Sequence, residues 1–237
     1  MINKLLRFFN GRKPTLENTV PSSVNEELGY DQKFNVALEF SNSHGFSADS
    51  KVSNFEKIRV EELVQELANI IPGFIGKYSS MGFKEPIIRF GGDCGTVHFS
   101  IFQFIKQYYP DLPVNVTLGE VDYSTYTYFN FDKDKCEDWI ENGSPEIFDC
   151  HTWLTVGDDL VIDVTIGTYV NTRIDSDKNS NIAKRIFGGI IFGEHGSFSH
   201  IPIIDFASKV PDKLDSLKYS PVVVGAESLH RLAPRQP

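Results

Sequence analysis

The chain has no long apolar run. Nothing in its 237 residues approaches the roughly 20 consecutive apolar residues that span a bilayer, so no integral membrane segment is expected. Positive charge is also scarce. Lys and Arg number 23 against 32 Asp and Glu, for a net charge of -9. No long basic run offsets that excess, and phosphate backbones would be repelled, which sets nucleic acid aside as a partner. Cysteine is sparse. Cys94, Cys136 and Cys150 are an odd set in a chain this long, which argues against a disulfide framework. No two of them have the CxxC spacing, so a structural zinc site is not expected. A signal-peptide core is missing as well, because Leu5-Leu6-Arg7-Phe8-Phe9 is short and broken by Arg7. The basic stretch with Lys4, Arg7, Arg12 and Lys13 reads as a frayed terminus. The expectation is a cytoplasmic protein, or one exported by a non-Sec route.

What is present suits a folded domain with a real core. Hydrophobic residues make up 41% and charged residues 23%, with 19 Phe and nine Tyr. Residues 1–52 are polar and read as an N-terminal arm, an extended or loosely packed lead-in around Phe34 to Phe40. Residues 53–237 read as one domain, with a polar loop insertion near 171–219. A helix capped by Ser53-Asn54 carries Val60, Leu63, Val64, Leu67 and Ile71 at helical spacing and stops at Pro72-Gly73. Gly91-Gly92-Asp93 reads as a turn. From Cys94, the residues Val97, Ile101, Phe104, Ile105 and Tyr108 mark a buried helix face closed by Pro110. Strands are expected over 113–121, 126–131, 148–156, 160–165, 200–206 and 220–225, the last central in the sheet. The fold class is α+β, a cysteine-bearing helix packed on an antiparallel sheet.

Three residues carry chemistry in that frame. A thiol attacks only as thiolate, and unpaired N–H groups at a helix start favour negative charge, so Cys94 stands where a nucleophile gains most. Such a nucleophile needs a base. His151 suits it, because Trp153, two residues on, shares its strand face and would shield the imidazole. A third group must fix the histidine tautomer. Asp163, on the next strand, is the candidate, and the turn decides whether it can serve. A three-residue loop, Gly157-Asp158-Asp159, pairs Val156 with Leu160. Trp153 then faces Asp163, and His151 is its diagonal neighbour on one face. A two-residue loop would send Asp163 to the other face. The face carrying His151 is expected to look toward the start of the Cys94 helix, with Asp93, Gly95 and Trp153 lining the site.

Each residue also has a plain reading. A lone cysteine is more often a small buried hydrophobe, which is how Cys136 and Cys150 are read. His44, His98, His195, His200 and His230 read as structural or surface residues, His98 lying one turn after Cys94. Asp163 in an apolar strand is harder to set aside, since a buried carboxylate needs a partner. A metal held by Cys94, His151 and Asp163 lacks a fourth ligand, so neither metal nor cofactor is called for.

Gly-Asp-Cys-Gly at a helix start, His-Thr-Trp on a strand and Ile-Asp-Val-Thr on the next resemble the transglutaminase-like branch of the papain-like fold. The match covers roughly residues 85–170. Asp93-Cys94 has a weaker likeness to the NlpC/P60 amidases. No glutamine stands shortly before Cys94, so papain's oxyanion donor has no counterpart. The resemblance implies a Cys94 nucleophile, a His151 base and an orienting Asp163. It also implies acyl transfer from an amide through a thioester, to water or to an amine. The substrate would be a protein, peptide or peptidoglycan-type amide. The competing expectations are a non-catalytic binding module on this fold and a toxin-like effector using the same three residues.

Overall fold

The computed structural model describes residues 28–49, 54–123, 126–145, 149–170, 188–203 and 214–233. The basic N-terminal stretch, the polar run 171–187 and residues 204–213 lie outside them. The class is α+β, built on a seven-stranded antiparallel sheet. Among the described residues no helix is long and apolar enough to cross a membrane.

The sheet is organised by its longest strand, β1 (Val114–Tyr123). One edge of β1 pairs with β3 (His151–Val156) over Val114 to Gly119, then with β2 (Tyr126–Phe129) over Val121 to Tyr123. The other edge pairs with β7 (Leu217–Val224). Beyond β3 lie β4 (Leu160–Asp163), β5 (Gly189–Glu194) and β6 (Ser199–Pro202).

Both faces of the sheet are covered, which explains why β3 and β4 are buried throughout. One face carries Val114, Val116, Leu118, Leu154, Val156 and Ile162. It packs on α2 (Lys57–Ser80) and α4 (Cys94–Tyr108) through Leu63, Leu67, Val97, Ile101 and Ile105. The opposite face carries Trp153, Val161, Tyr219 and Val224 and packs on α1 (Tyr30–Ser43) through Tyr30, Phe34 and Ala37.

The hairpin turns on the odd loop. Leu154 pairs with Ile162, Thr155 with Val161 and Val156 with Leu160, leaving Gly157-Asp158-Asp159 between the strands. One step further along this register, Trp153 stands opposite Asp163. Gly157 has φ +67°, and a Cβ there would meet the Phe55 ring at 2.7 Å, so glycine suits the turn on both counts.

Several elements differ from the pattern-based expectation. The lead-in is not loose: α1 buries Tyr30, Phe34 and Ala37 against the sheet, and its apolar residues recur at helical spacing within an otherwise polar stretch. Helix α2 starts at Lys57 after Glu56 and runs through Pro72. Phe74, Ile75 and Tyr78 continue its stripe into the core, and that packing outweighs the bond the proline cannot make. Gly91 and Gly92 end a short helix, α3 (Pro86–Gly92), so the break before α4 is Asp93 alone. On α4, Tyr108 is exposed and Phe104 half-buried, while His98 and Phe102 are buried in their stead. Helix α5 (Lys133–Asn142), capped by the Asp132 side chain on the Lys135 N–H, buries Cys136 and Trp139, which with Ile140 make a short stripe at helical spacing in an otherwise charged segment. Strand β7 pairs with β1 alone among the described residues and so stands at the sheet's end, not at its centre. Its apolar run reflects burial in both layers, Val222 and Val223 in the core that α2 and α4 share and Val224 with the residues of α1. Within 171–219, β5 and β6 extend the sheet, so that stretch is more than a loop. A last short helix, α6 (Ser228–Arg231), follows β7.

Candidate active site

The first turn of α4 crosses the ends of β3 and β4. Cys94 begins the helix, and its thiol leans on the carbonyl of Cys150, the residue just before β3, at 4.0 Å. One turn on, His98 reaches the N–H of Val164, the residue just after β4. The helix body packs on the sheet face opposite the one that carries Trp153. Cys94 and His151 therefore approach one another past the strand ends, not across an open face as the alternation alone implies.

Helix geometry leaves the N–H groups of Cys94, Gly95 and Thr96 without helical acceptors. Val97 is the first to donate inward, to the Asp93 carbonyl at 2.9 Å. Those first N–H groups sit beside the sulfur, where a developing oxyanion would need donors.

His151 and Asp163 are both fully buried, and His151 Nε2–H donates to Asp163 Oδ2 at 2.6 Å. The carboxylate is held from every side. Tyr219 donates its hydroxyl to Oδ2 at 3.0 Å, while the N–H groups of Thr165 and Ile166 donate to Oδ1 at 2.9 and 3.0 Å. Burial alone would push this carboxyl up. The charge and hydrogen bond of His151 outweigh burial and hold it well below the ordinary carboxylate range. The converse holds for the imidazole. Burial works against its protonation, yet Asp163, and then the neighbouring Cys94 side chain, raise its proton affinity well above the usual histidine value.

With Nε2 committed to Asp163, Nδ1 is the nitrogen left to act, and it makes no hydrogen bond in this arrangement. Cys94 lies near enough to bear on the imidazole's proton affinity without a formed Sγ–Nδ1 hydrogen bond. Such contacts are commonly loose before substrate binds.

The imidazole plane is fixed by two aromatic rings. Phe129 of β2 lies 4.9 Å away at 26°, and Trp153 lies 6.1 Å away at 23°. Trp153 is itself anchored, its Nε1–H donating to the Tyr30 hydroxyl at 2.7 Å. Of the expected lining residues, Trp153 thus flanks the histidine. Asp93 instead faces Arg89, with Nε 3.0 Å from Oδ2, and burial pushes its carboxyl up to about 6 against the pull of Arg89. Gly95 looks the other way, since a Cβ there would meet Leu229 at 3.4 Å and the Thr152 hydroxyl at 3.8 Å.

Phe129, Tyr219, Tyr30 and the backbone donors on Asp163 complete the surroundings and escaped the sequence reading. Only the last had a local signal. Asp163 followed by Thr165 is an Asx-turn pattern, in which a carboxylate accepts from N–H groups two and three residues on. The rings come from remote segments and carry no local mark. Cys136 and Cys150 are buried, and burial pushes the Cys136 thiol up to about 12 and the Cys150 thiol well up, so neither is suited to nucleophilic work. Among the described residues, no group of three or more His, Cys, Asp or Glu side chains is placed to hold a metal ion.

The Tyr219 contact has a direct test. Tyr219→Phe removes one donor from a buried carboxylate and is expected to cost about 1.5–3 kcal/mol of stability, the worth of a hydrogen bond to a charged group. Urea unfolding at neutral pH measures it, and an unchanged midpoint would show that Asp163 does not depend on Tyr219.

No family model matches the chain, and no curated protein or solved structure matches it.

Proposed function

We propose that this chain is a cysteine-dependent acyl-transfer enzyme acting on an amide, a member of the transglutaminase-like branch of the papain-like fold. The observation that supports the reading most is the buried His151–Asp163 hydrogen bond, which leaves Nδ1 as the nitrogen on offer beside the first residue of α4.

Each group has one task. His151 Nδ1 takes the Cys94 thiol proton, and Asp163 stabilises the resulting imidazolium. The thiolate attacks the amide carbonyl carbon, and the oxyanion develops beside the N–H groups at the start of α4. The C–N bond breaks, the amine leaves with the proton from His151, and the acyl group stays on Sγ as a thioester. Water or a second amine then attacks the thioester, with His151 again accepting the proton. Water gives hydrolysis, as in a peptidase, amidase or deamidase. An amine gives crosslinking. The substrate class is a protein, peptide or peptidoglycan-type amide.

Alkylation tests the reading without a known substrate. Iodoacetamide at about pH 6, where an ordinary thiol is almost wholly protonated, should label Cys94 ahead of Cys136 and Cys150 by peptide mapping. A Cys94 as inert as the other two would sink the proposal.

A further inference from the structure

Two histidines flank Asp163, and one of them has no part in the chemistry above. His98 is fully buried on α4, its ring 6.2 Å from that of His151 and nearly perpendicular to it. Both its nitrogens are committed. Nδ1 lies 2.9 Å from the Cys94 carbonyl, which can only accept, so Nδ1 carries the hydrogen. Nε2 lies 3.1 Å from the Val164 N–H, which can only donate, so Nε2 offers its lone pair. These partners select the neutral Nδ1–H tautomer. Nε2 is also 3.5 Å from Asp163 Oδ1 but has no hydrogen to give it. Burial pushes the His98 proton affinity down, to about 4, against the pull of Asp163.

We propose that His98 is a positioning residue of the Cys94 centre: its two hydrogen bonds tie the residue that starts α4 to the end of the Asp163 strand and leave His151 as the histidine that donates to Asp163. The bracket spans the two elements whose relative placement sets the sulfur-to-imidazole approach. A protonated His98 would compete with His151 for the same carboxylate. The groups facing His98 are Cys94 from its own helix, Asp163 from β4 and His151 from β3. This inference rests on the proposed role of Cys94.

The test is the pH dependence of Cys94 alkylation by iodoacetamide in full-length wild type, H98A, H98N, H98Q and a control, I105A. Ile105 is buried about two turns beyond His98 on the same helix, so I105A loses stability through a cavity remote from the site. H98A is expected to label Cys94 about ten-fold more slowly at about pH 6, the worth of roughly one hydrogen bond, with its rate profile displaced to higher pH. H98N keeps a donor for the Cys94 carbonyl and H98Q an acceptor for Val164, so each should recover part of the rate, and either stands in if H98A fails to fold. I105A should keep the wild-type profile. Wild-type labelling in H98A, or in both H98N and H98Q where H98A does not fold, overturns the positioning role and leaves the Cys94 reading intact. The same displacement in I105A also overturns it, because the effect would then be loss of stability. An inert thiol in wild type overturns both proposals.

Discussion

Cys94→Ala is expected to leave a folded protein that has lost the proposed amide turnover. In the proposed reaction the sulfur forms the covalent intermediate, so its loss removes the reaction path and not a fraction of it. A drop of roughly a million-fold, to the level left by binding and backbone donors, is the scale for such a nucleophile. Cys94 is buried but small, and alanine fills most of its volume, so thermal unfolding should shift little. Cys94→Ser also keeps the fold, and its hydroxyl is a far weaker nucleophile at neutral pH. Turnover is measured against a panel of peptide and amide substrates, with release of ammonia or amine as the readout. Activity retained in either variant would reject Cys94 as the nucleophile.

His151→Ala is expected to lose activity about as completely as Cys94→Ala, and the double variant to lose no more, because groups acting as one unit do not add. Asp163→Asn should cost less, roughly ten-thousand-fold, and for a specific reason. Thr165 and Ile166 donate to Oδ1, so an asparagine would keep its oxygen there and turn its NH2 toward His151. That NH2 donates to Nε2 and drives the ring hydrogen onto Nδ1, the nitrogen that accepts the thiol proton in the proposed reaction. Equal activity in all three single variants would reject the arrangement.

The His151–Asp163 pair also carries a stability signature whose sign follows from the two shifts. The folded Asp163 carboxyl lies below its ordinary value of 3.8, so its contribution is present above that pH and lost as acid protonates the folded group. The folded His151 imidazole lies above its ordinary value of 6.5, so its contribution is present below that pH and lost as the pH climbs through the raised value. The stability difference between wild type and Asp163→Asn should therefore be largest between pH 3.8 and 6.5 and shrink on either side. Urea unfolding across pH measures it, and a flat difference would show that the two groups are not paired as ions.

The sequence by itself determined the local parts of this picture. The α4 stripe placed Cys94 at a helix start, because helical spacing and a closing proline are properties of neighbouring residues. The alternation in β3 and β4 made a shared face for His151 and Asp163 conditional on an odd turn, because a two-residue period leaves one register for a given turn, and the structure supplied that turn as Gly157-Asp158-Asp159. Tertiary structure alone decided the rest. The short apolar spacing of α1 gains a partner only where the sheet supplies a face for Tyr30, Phe34 and Ala37, and α2 runs past Pro72 because the core rewards Ile75 and Tyr78. The Phe129 and Trp153 rings about the imidazole, the Tyr219 donor on Asp163 and the His98 bracket join segments far apart in the chain. Contacts of that kind leave no periodic trace. The chemistry of the donors is written locally, but the distance between them depends on how helix and sheet pack.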